Sequence, residues 1–454
     1  MISGMGTGGS GRGEGLAVAA TDGGTGQQRV VIACQGGGSH TAFTAGVLKR
    51  LLGADELAGY QVAGLSGTSG GAVCALLAWY ALLDDDPAGA GRLLDRFWAD
   101  NSARGPVEML VNTWVQWAGA WQDLGGALPA VSPYQWPASV AGADQFCAML
   151  ERQVDFGRIQ VDRAGQHPVL LMGAVDVLSG RFRTFSSHRD RITADTVLAS
   201  AAIPNLFRAV RLEDGTYWDG LFSQNPPVRE LLDARPDELW VIQINPRQRD
   251  TEPTTLAEIA DRRNELSGNL SLYQELAFIE KIDQLLEAGL LQAGGKYKQV
   301  VVRVIELSRN SLPGARAASK LNRDPLFIQN LIAHGEQQAG EFLAALAFER
   351  AWAGNDVAAV MASFAADAEV ISAPPFTGQR SRRGSGPVRQ LVREQLSAGV
   401  RLDLTRKLIA QERVTWTLRR RDEEAGTDPS GQAQARFQDG KITSLCLGPL
   451  QDLQ

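Results

Sequence analysis

The chain has 454 residues, of which 44% are hydrophobic and 21% charged, a composition typical of a globular protein of two or three domains. Its net charge of -6 leaves no broad basic field and argues against a nucleic-acid partner. The cysteines lie far apart without a Cys-x-x-Cys pair, which argues against a zinc site and against a disulfide framework: Cys34, Cys74, Cys147 and Cys446.

The first 27 residues are rich in Gly, Ser and Thr and lack the apolar stretch of a signal peptide, so we predict a flexible tail. No apolar run approaches the roughly 18 residues that a membrane-spanning helix needs. Unpaired cysteines also favour a reducing compartment. These features predict a cytoplasmic protein and leave peripheral contact with a membrane open.

Two strand–turn–helix units follow the tail. The first strand is predicted at 29–35 and ends in three glycines; the second is predicted at 61–65 and leads through Gly67 into a helix over 72–83. This alternation is typical of a parallel α/β sheet. Further strands are predicted at 168–175, 182–185, 216–218, 239–244 and 299–305, with one or two amphipathic helices over 254–290.

The pattern changes near residue 345. One or two helices over 341–364 precede strands that look antiparallel, predicted at 368–372, 402–410, 413–421, 431–438 and 442–447. Strands that follow strands indicate a separate α+β unit. We therefore predict a tail over 1–27, an α/β domain over 28–344 and an α+β domain over 345–454.

The chemistry centres on Gly67-Thr68-Ser69-Gly70-Gly71, a Gly-x-Ser-x-Gly motif. It lies between a predicted strand and a predicted helix, where the nucleophile elbow of a serine hydrolase lies. The glycines Gly67, Gly70 and Gly71 allow tight backbone packing, and the helix N-terminus stabilises negative charge. The alternative is a glycine-rich turn whose serine merely caps the helix, but the context favours Ser69 as a nucleophile.

A nucleophilic serine needs a base. None of the histidines lies late in the chain near a Gly or Asp turn, as the Ser–Asp–His order of an ordinary triad requires. They are His40, His167, His188 and His334. Asp219, next to Gly220 at the end of a predicted strand, offers a carboxylate that could take the serine proton directly. Asp214 in a nearby turn competes for the role, and we prefer Asp219 because a buried strand delivers it.

A third element is the run Gly36-Gly37-Gly38 after the first strand. Its successive N–H groups could face a developing oxyanion, and such a donor contributes about 2.7–4 kcal/mol to the transition state. A tight turn that needs glycine is one alternative. A dinucleotide-binding loop is another, but the last glycine of Gly-x-Gly-x-x-Gly is missing.

These three elements, in this order, resemble the motifs of the patatin-like phospholipase family. Two further stretches resemble that family's Ala-Ser and Asn-Pro elements, namely 199–207 and Asn225-Pro226-Pro227. The resemblance covers roughly 28–340 and implies a three-layer α/β/α fold with a mainly parallel central sheet. It implies hydrolysis of lipid acyl esters through an acyl-enzyme, with neither metal nor cofactor. By this likeness Ser69 is the nucleophile and Asp219 the base. The oxyanion hole is formed near Gly36, Gly37 and Gly38, and Gly67, Gly70, Gly71 and Gly220 support the motifs.

Three positions depart from the family pattern. His40 and Thr41 stand where an Arg or Lys and then a glycine are usual, and Leu221 follows Gly220 in place of Gly or Ala. We expect less positive charge beside the oxyanion loop, different packing behind Asp219 and a shifted substrate choice.

Five tryptophans lie between the elbow helix and residue 140, which predicts a helical cap with its own small core. A lid over an acyl pocket, or an interfacial surface, is the alternative. They are Trp98, Trp114, Trp117, Trp121 and Trp136.

Residues 345–454 resemble the SnoaL-like branch of the nuclear-transport-factor-2-like fold through 348–352, 355–356, 364–370 and 437–442. The likeness implies a cone-shaped domain with an apolar pocket that often forms homodimers. Residues 371–375 contain no carboxylate, so we expect a binding or dimerising module. Its basic groups are interpreted as solvated faces, with contact to anionic headgroups as the weaker alternative: Arg380, Arg382, Arg383, Arg419, Arg420 and Arg421.

The leading hypothesis is a serine acyl hydrolase that acts on a lipid or other apolar acyl ester. Two alternatives remain. One is an intracellular polyester depolymerase or small-ester esterase on the same scaffold. The other is a non-catalytic, lipid-binding and dimerising scaffold.

Overall fold

The computed structural model describes residues 27–449 except 107, 115–131, 136, 205, 250, 293, 295–296, 308–316, 375–379, 411–412 and 420–430. The tail predicted at 1–27 lies outside the described residues apart from Gln27. So do three of the predicted cap tryptophans and two of the C-terminal arginines: Trp117, Trp121, Trp136, Arg420 and Arg421.

The strands, in chain order, are β1 Gln28–Cys34, β2 Tyr60–Gly67, β3 Val169–Asp176, β4 Phe182–Ser186, β5 Val210–Leu212, β6 Gly215–Asp219, β7 Glu238–Gln243, β8 Val301–Glu306, β9 Phe364–Ser372, β10 Arg380–Arg383, β11 Arg401–Ala410, β12 Arg413–Arg419, β13 Gly431–Gln438 and β14 Lys441–Gly448. The α-helices are α1 Ala42–Leu52, α2 Gly70–Leu83, α3 Gly89–Asn101, α4 Pro137–Glu151, α5 Ala194–Ala201, α6 Leu256–Glu287, α7 Pro325–Ala353, α8 Val357–Ala362 and α9 Ser385–Ser397. Three 3-10 turns, Gly38–Thr41, Gly220–Phe222 and Ala317–Leu321, lie near the predicted site.

The first part of the sheet is mainly parallel. Strands β3, β2, β1, β7 and β8 are neighbours in that order, and each pair is parallel. Beyond β3, strands β6 and β5 extend the sheet in antiparallel pairing. Alternate residues of β1 point to opposite faces, as the two-residue period of a strand requires. Val30 and Ile32 pack with α1, α2, α3 and α7, whereas Val31 and Ala33 pack with α6. The predicted three-layer α/β/α arrangement is confirmed.

The C-terminal unit continues the same sheet. Strands β11 to β14 pair in antiparallel order, but β14 pairs with β9 in parallel, so the strands are not all antiparallel. The edge of β8 pairs in parallel with β11, with Val302 opposite Arg406. This pairing covers an edge whose N–H and C=O groups would otherwise lack partners.

Helix α7 runs through the boundary predicted at residue 345. Phe342 and Phe348 lie on either side of that boundary and are both fully buried in one continuous core. The change of sequence pattern near residue 345 therefore falls inside a helix, and the two units share one core at this point. The division into domains at 344 and 345 stays a prediction.

A buried ionic network joins the two units. Arg303 of β8 donates to Glu349 of α7 at 2.9 Å and to Glu238 of β7 at 2.8 Å. The indole N–H of Trp416, on β12, donates to the other oxygen of Glu349 at 2.6 Å. A buried charge is tolerated when it is paired and hydrogen-bonded, and this network satisfies Arg303 from two sides.

None of the helices in the described ranges combines the length and the apolar character needed to cross a membrane.

Candidate active site

The turn that carries Ser69 lies between a strand and a helix, as the sequence predicts. Strand β2 ends at Gly67 and α2 begins at Gly70, and Ser69 between them has φ 58° and ψ -131°. A non-glycine residue rarely adopts this backbone conformation, which occurs at strained functional turns. A Cβ at Gly67 would lie 2.3 Å from the carbonyl oxygen of Gly71, so glycine is required there.

Ser200 fixes the backbone of the elbow. The N–H of Ser69 donates to the carbonyl of Ser200 at 3.1 Å, and the Ser200 hydroxyl donates to the carbonyl of Gly173 at 2.7 Å. Ser200 belongs to α5, in the stretch that resembles the family's Ala-Ser motif. The sequence indicated the stretch but not this role, since the contact joins residues 131 positions apart.

Asp219 ends β6 and is only 1% exposed. Its Oδ1 accepts a hydrogen bond from the N–H of Leu221 at 2.8 Å, whereas Oδ2 has no partner among the described residues. Burial raises the pKa of Asp219 to about 6, although the Leu221 N–H and the Ser69 hydroxyl act in the opposite direction. The two predicted dyad members are therefore neighbours, but no hydrogen bond of normal geometry joins them.

The competing carboxylate lies elsewhere. Asp214 follows β5 in the turn before β6, is half exposed, and forms an ion pair with Arg183 at 3.0 Å. Gly220, beside Asp219, packs against the elbow instead: a Cβ there would lie 2.3 Å from the carbonyl oxygen of Gly173 and 3.0 Å from Thr68. The geometry thus favours Asp219 over Asp214.

The glycine loop after β1 lies against the elbow. A Cβ at Gly36 would lie 3.0 Å from the Ser69 Cβ, so any larger residue would crowd Ser69. The N–H of Gly36 is already used, since it donates to Asn225 Oδ1 at 2.7 Å. Within the described chain, the N–H groups of Gly37 and Gly38 have no acceptor. Of the three predicted oxyanion donors, these two are available to a ligand.

Asn225 is a site residue that sequence reasoning missed. The sequence marks it only as part of an Asn-Pro element, yet its side chain links three segments. Besides accepting from Gly36, it donates to the carbonyl of Gly268 in α6 at 3.3 Å, and its own N–H donates to Ser271 at 3.1 Å. Asn225 therefore holds the glycine loop, the Asp219 segment and α6 in one arrangement.

The departures at His40 and Thr41 have structural partners. His40 Nε2 contacts the Ser319 hydroxyl at 2.8 Å, and burial, assisted by the charge of Lys320, lowers the pKa of His40 to about 3. Thr41 donates to the carbonyl of Gly38 at 2.6 Å. His40 is thus a neutral support for the loop.

A lysine from a distant segment accompanies the loop. The carbonyl of Lys320 would lie 2.3 Å from a Cβ at Gly38, which has φ 58°, so the two backbones approach closely. Lys320 Nζ donates to Asn245 Oδ1 at 2.7 Å, and burial lowers the pKa of this lysine. Positive charge beside the loop, which the histidine does not supply, comes from Lys320.

The remaining histidines lie away from the elbow. His167 contacts Asp162 at 3.2 Å, His188 contacts the carbonyl of His167 at 3.2 Å, and the ring of His334 packs 5.5 Å from that of Phe43. All four histidines are described, and none hydrogen-bonds to Ser69. No cluster of metal-ligating side chains occurs in the described residues either.

Two of the predicted cap tryptophans are described. Trp98 is 2% exposed and packs edge-on against Phe97 in the main core, whereas Trp114 is 56% exposed. Trp98 therefore belongs to the core of the α/β layers rather than to a separate small core.

Comparison with known families covers the region that contains these residues. Residues 32–232 match the family model described as patatin-like phospholipase, and this range includes the elbow, the glycine loop and Asp219. Residues 32–232 form a patatin-like phospholipase domain. The protein is accordingly a lipolytic acyl hydrolase, an enzyme that acts on ester bonds. No curated protein is significantly similar to the chain.

The solved structures that are similar to part of the chain include NTF2-like and SnoaL-like proteins, the two names that the sequence predicts for 345–454. An NTF2-like protein of unknown function from Mesorhizobium loti is 22% identical, with 24% of this chain and 89% of that one covered and a TM-score of 0.21. A SnoaL-like protein of unknown function from Burkholderia thailandensis is 18% identical, with 24% and 94% covered and a TM-score of 0.21. A putative polyketide cyclase from Sinorhizobium meliloti is 18% identical, with 23% and 92% covered and a TM-score of 0.19. The architecture of the C-terminal unit rests on its own described strands and helices.

Proposed function

We propose that the patatin-like domain hydrolyses lipid acyl esters with Ser69 as nucleophile and Asp219 as the only general base. The observation that carries this proposal is the buried Asp219 carboxylate, whose Oδ2 has no partner among the described residues and which lies beside Ser69. A buried oxygen without a partner is costly unless it serves a function. Here it is free to accept the serine proton.

Acylation follows from this arrangement. Asp219 takes the Ser69 proton as Oγ attacks the acyl carbonyl carbon, and the carbonyl oxygen gains the negative charge. The tetrahedral intermediate collapses, the bond to the alcohol breaks, and the proton on Asp219 passes to the leaving alcohol oxygen. In deacylation, Asp219 takes a proton from water as the water oxygen attacks the acyl carbonyl carbon. The bond to Ser69 Oγ then breaks, and the proton on Asp219 passes to Oγ, which releases the carboxylic acid and regenerates both residues.

The oxyanion would be stabilised by the N–H groups of Gly37 and Gly38 and by the N-terminus of α2. The first N–H of that helix, at Gly70, also has no acceptor in the described part of the chain, and a helix N-terminus carries partial positive charge. These donors are fixed by backbone packing, so they need little reorganisation when charge develops.

The pKa of Asp219 suits this role. A general base works best when its pKa lies near the working pH, and a pKa of about 6 leaves the carboxylate ionised at neutral pH while raising its basicity above that of an exposed aspartate.

The deciding experiment is active-site labelling with a fluorophosphonate probe, together with hydrolysis of a chromogenic acyl ester. The wild type should label, and Ser69→Ala should neither label nor hydrolyse. Asp219→Asn should lose at least about 100-fold in rate, in line with the loss of a general base. Asp214→Asn is the matched control and should keep the wild-type rate. Activity that survives Ser69→Ala or Asp219→Asn would contradict the dyad.

The C-terminal unit is proposed as a binding or dimerising module of this enzyme. Residues 371–374 supply no acidic side chain to a pocket, which argues against a second catalytic centre there. Sedimentation velocity of the full chain tests the homodimer, since a concentration-independent monomer would contradict it.

A further inference from the structure

We propose that the outward face of α6 is a docking surface for an anionic phospholipid bilayer. The inference rests on the proposed function, because it supplies the way in which an enzyme for insoluble esters reaches its substrate. Helix α6 spans 32 residues and covers one face of the sheet, where Leu272 and Ile279 are buried. The opposite side of the helix faces outward.

That outward side is unusually apolar. Five large side chains of α6 are 39% to 76% exposed: Leu256, Ile259, Leu266, Leu270 and Phe278. At 3.6 residues per turn they fall within an arc of about 120°, opposite the buried residues. Exposed apolar residues scattered singly need no explanation, but a row of them along one helix face marks an interaction surface.

The charges on this face are all positive. Arg263 and Lys281 are exposed and fall within the same arc, and neither pairs with an acidic side chain among the described residues. The acidic residues of α6 all fall outside the arc. They include Glu265, which pairs with Arg249, and Glu275, which accepts from the N–H groups of Val228 and Arg229.

This distribution fits an anionic lipid surface. A helix with an apolar stripe and cationic side chains lies in the plane of a membrane interface, with its apolar side chains inserted and its cations near the phosphates. The protein as a whole carries a net charge of -6, so general electrostatics would oppose such a surface. The outward arc of α6, which carries none of the acidic residues of that helix, overcomes that opposition.

The opposite, buried side of the same helix contacts the candidate active site. Gly268 in α6 accepts hydrogen bonds from Gln35 at 3.2 Å and from Asn225 at 3.3 Å. A Cβ at Gly268 would lie 3.4 Å from Leu221, in the turn that follows Asp219, and the next residue, Phe222, is 59% exposed. Docking through the outward face of α6 would therefore leave only the thickness of one helix, about 10 Å, between the bilayer and the segment that carries the catalytic base.

The test measures co-sedimentation of the full-length Ser69→Ala protein with vesicles, so that no lipid is consumed. We expect binding to vesicles of equal parts phosphatidylglycerol and phosphatidylcholine, weaker binding at high salt, and little binding to phosphatidylcholine alone. In this background, Arg263→Gln with Lys281→Gln should weaken binding about 30-fold, since each cation near an anionic surface contributes about fivefold. Leu266→Ser with Leu270→Ser should abolish binding, because it removes two of the apolar side chains that would insert into the bilayer.

Control variants carry changes of the same kind elsewhere on the surface. Arg181→Gln with Arg211→Gln removes the same charge from exposed positions, and Leu178→Ser removes a leucine that is 85% exposed. These variants should bind vesicles as the parent does. Circular dichroism and thermal unfolding check that every variant is folded.

Several outcomes would overturn the proposal: equal binding to uncharged vesicles, no binding at all, or equal losses in the controls. A stripe variant that converts a dimer to a monomer in sedimentation velocity would assign the face to a second copy of this chain instead. Failure of the proposed function is distinguishable, since it would leave vesicle binding intact while the wild type fails to hydrolyse soluble esters.

Discussion

The side-chain oxygen of Asn225 accepts a hydrogen bond from the N–H of Gly36 at 2.7 Å. This bond joins the segment after Asp219 to the loop beside Ser69, so the proposed base and the proposed oxyanion donors are held by one amide. The bond uses the N–H of Gly36, which leaves those of Gly37 and Gly38 as the proposed oxyanion donors of the loop.

The first prediction concerns this amide. Asn225→Ala should reduce kcat for a chromogenic ester by up to about 100-fold with little change in KM, because it misplaces the loop rather than removing a reacting group. Fluorophosphonate labelling should be slowed but retained. Gln390→Ala, which removes an exposed amide from α9, is the control and should match the wild type. An unchanged kcat in Asn225→Ala would show that the loop does not depend on this bond.

The pH dependence of the rate should report Asp219. With a pKa of about 6, kcat/KM should be constant above neutral pH and fall about tenfold per pH unit below pH 6, as the base becomes protonated. His167→Gln and His188→Gln should leave the midpoint unchanged, since both rings contact other residues. A midpoint that moves in either histidine variant would argue for a histidine base.

Asp219→Asn should raise the stability of the fold although it removes activity. Burial raises the folded-state pKa of Asp219 above that of the unfolded chain, so ionisation costs stability as pH rises through about 6. Asp219→Asn removes that cost and should raise the free energy of unfolding at pH 7 by as much as about 3 kcal/mol. The gain should shrink towards pH 4, where the carboxyl is protonated in the folded state and about half protonated in the unfolded chain. Urea unfolding of both proteins at the two pH values measures it, and a gain of equal size at pH 4 would rule out this cause.

The buried network at the junction predicts a large loss of stability. Glu349→Ala leaves Arg303 with half of its partners and removes the acceptor of the Trp416 indole, so unfolding should become easier by about 3–5 kcal/mol. Arg152→Ala breaks the exposed pair with Asp100 and should cost less than about 1 kcal/mol. Chemical denaturation compares the two variants, and similar losses would mean that the network contributes no more than a surface pair.

The sequence predicted the elements whose signals are local. Strands β1 and β2, the elbow and the amphipathic α6 were foreseen because their periodicity, glycines and caps lie within a few residues of each other. The three-residue β5 is too short to show a period, and β10, Arg380–Arg383, has no apolar residue that marks a strand. Pairing with β6 and β9 defines these two strands.

The arrangement of the site was less accessible. The motifs indicated Ser69 and Asp219, but not that Asn225 would bond a glycine 189 positions away, nor that Lys320 would approach Gly38. The parallel pairings of β8 with β11 and of β9 with β14 likewise join distant segments. Contacts of this kind depend on the folded chain as a whole and leave no local pattern.

The pairing of β8 with β11 has a mechanical consequence. One continuous helix, α7, enters the C-terminal unit, and one sheet passes through both units, so the described chain contains no hinge at this junction. The C-terminal unit cannot pivot on a linker as a tethered accessory domain would. A ligand or partner that displaces it must separate strands, and the resulting strain would reach β7 and then β1, the strand that leads into the glycine loop.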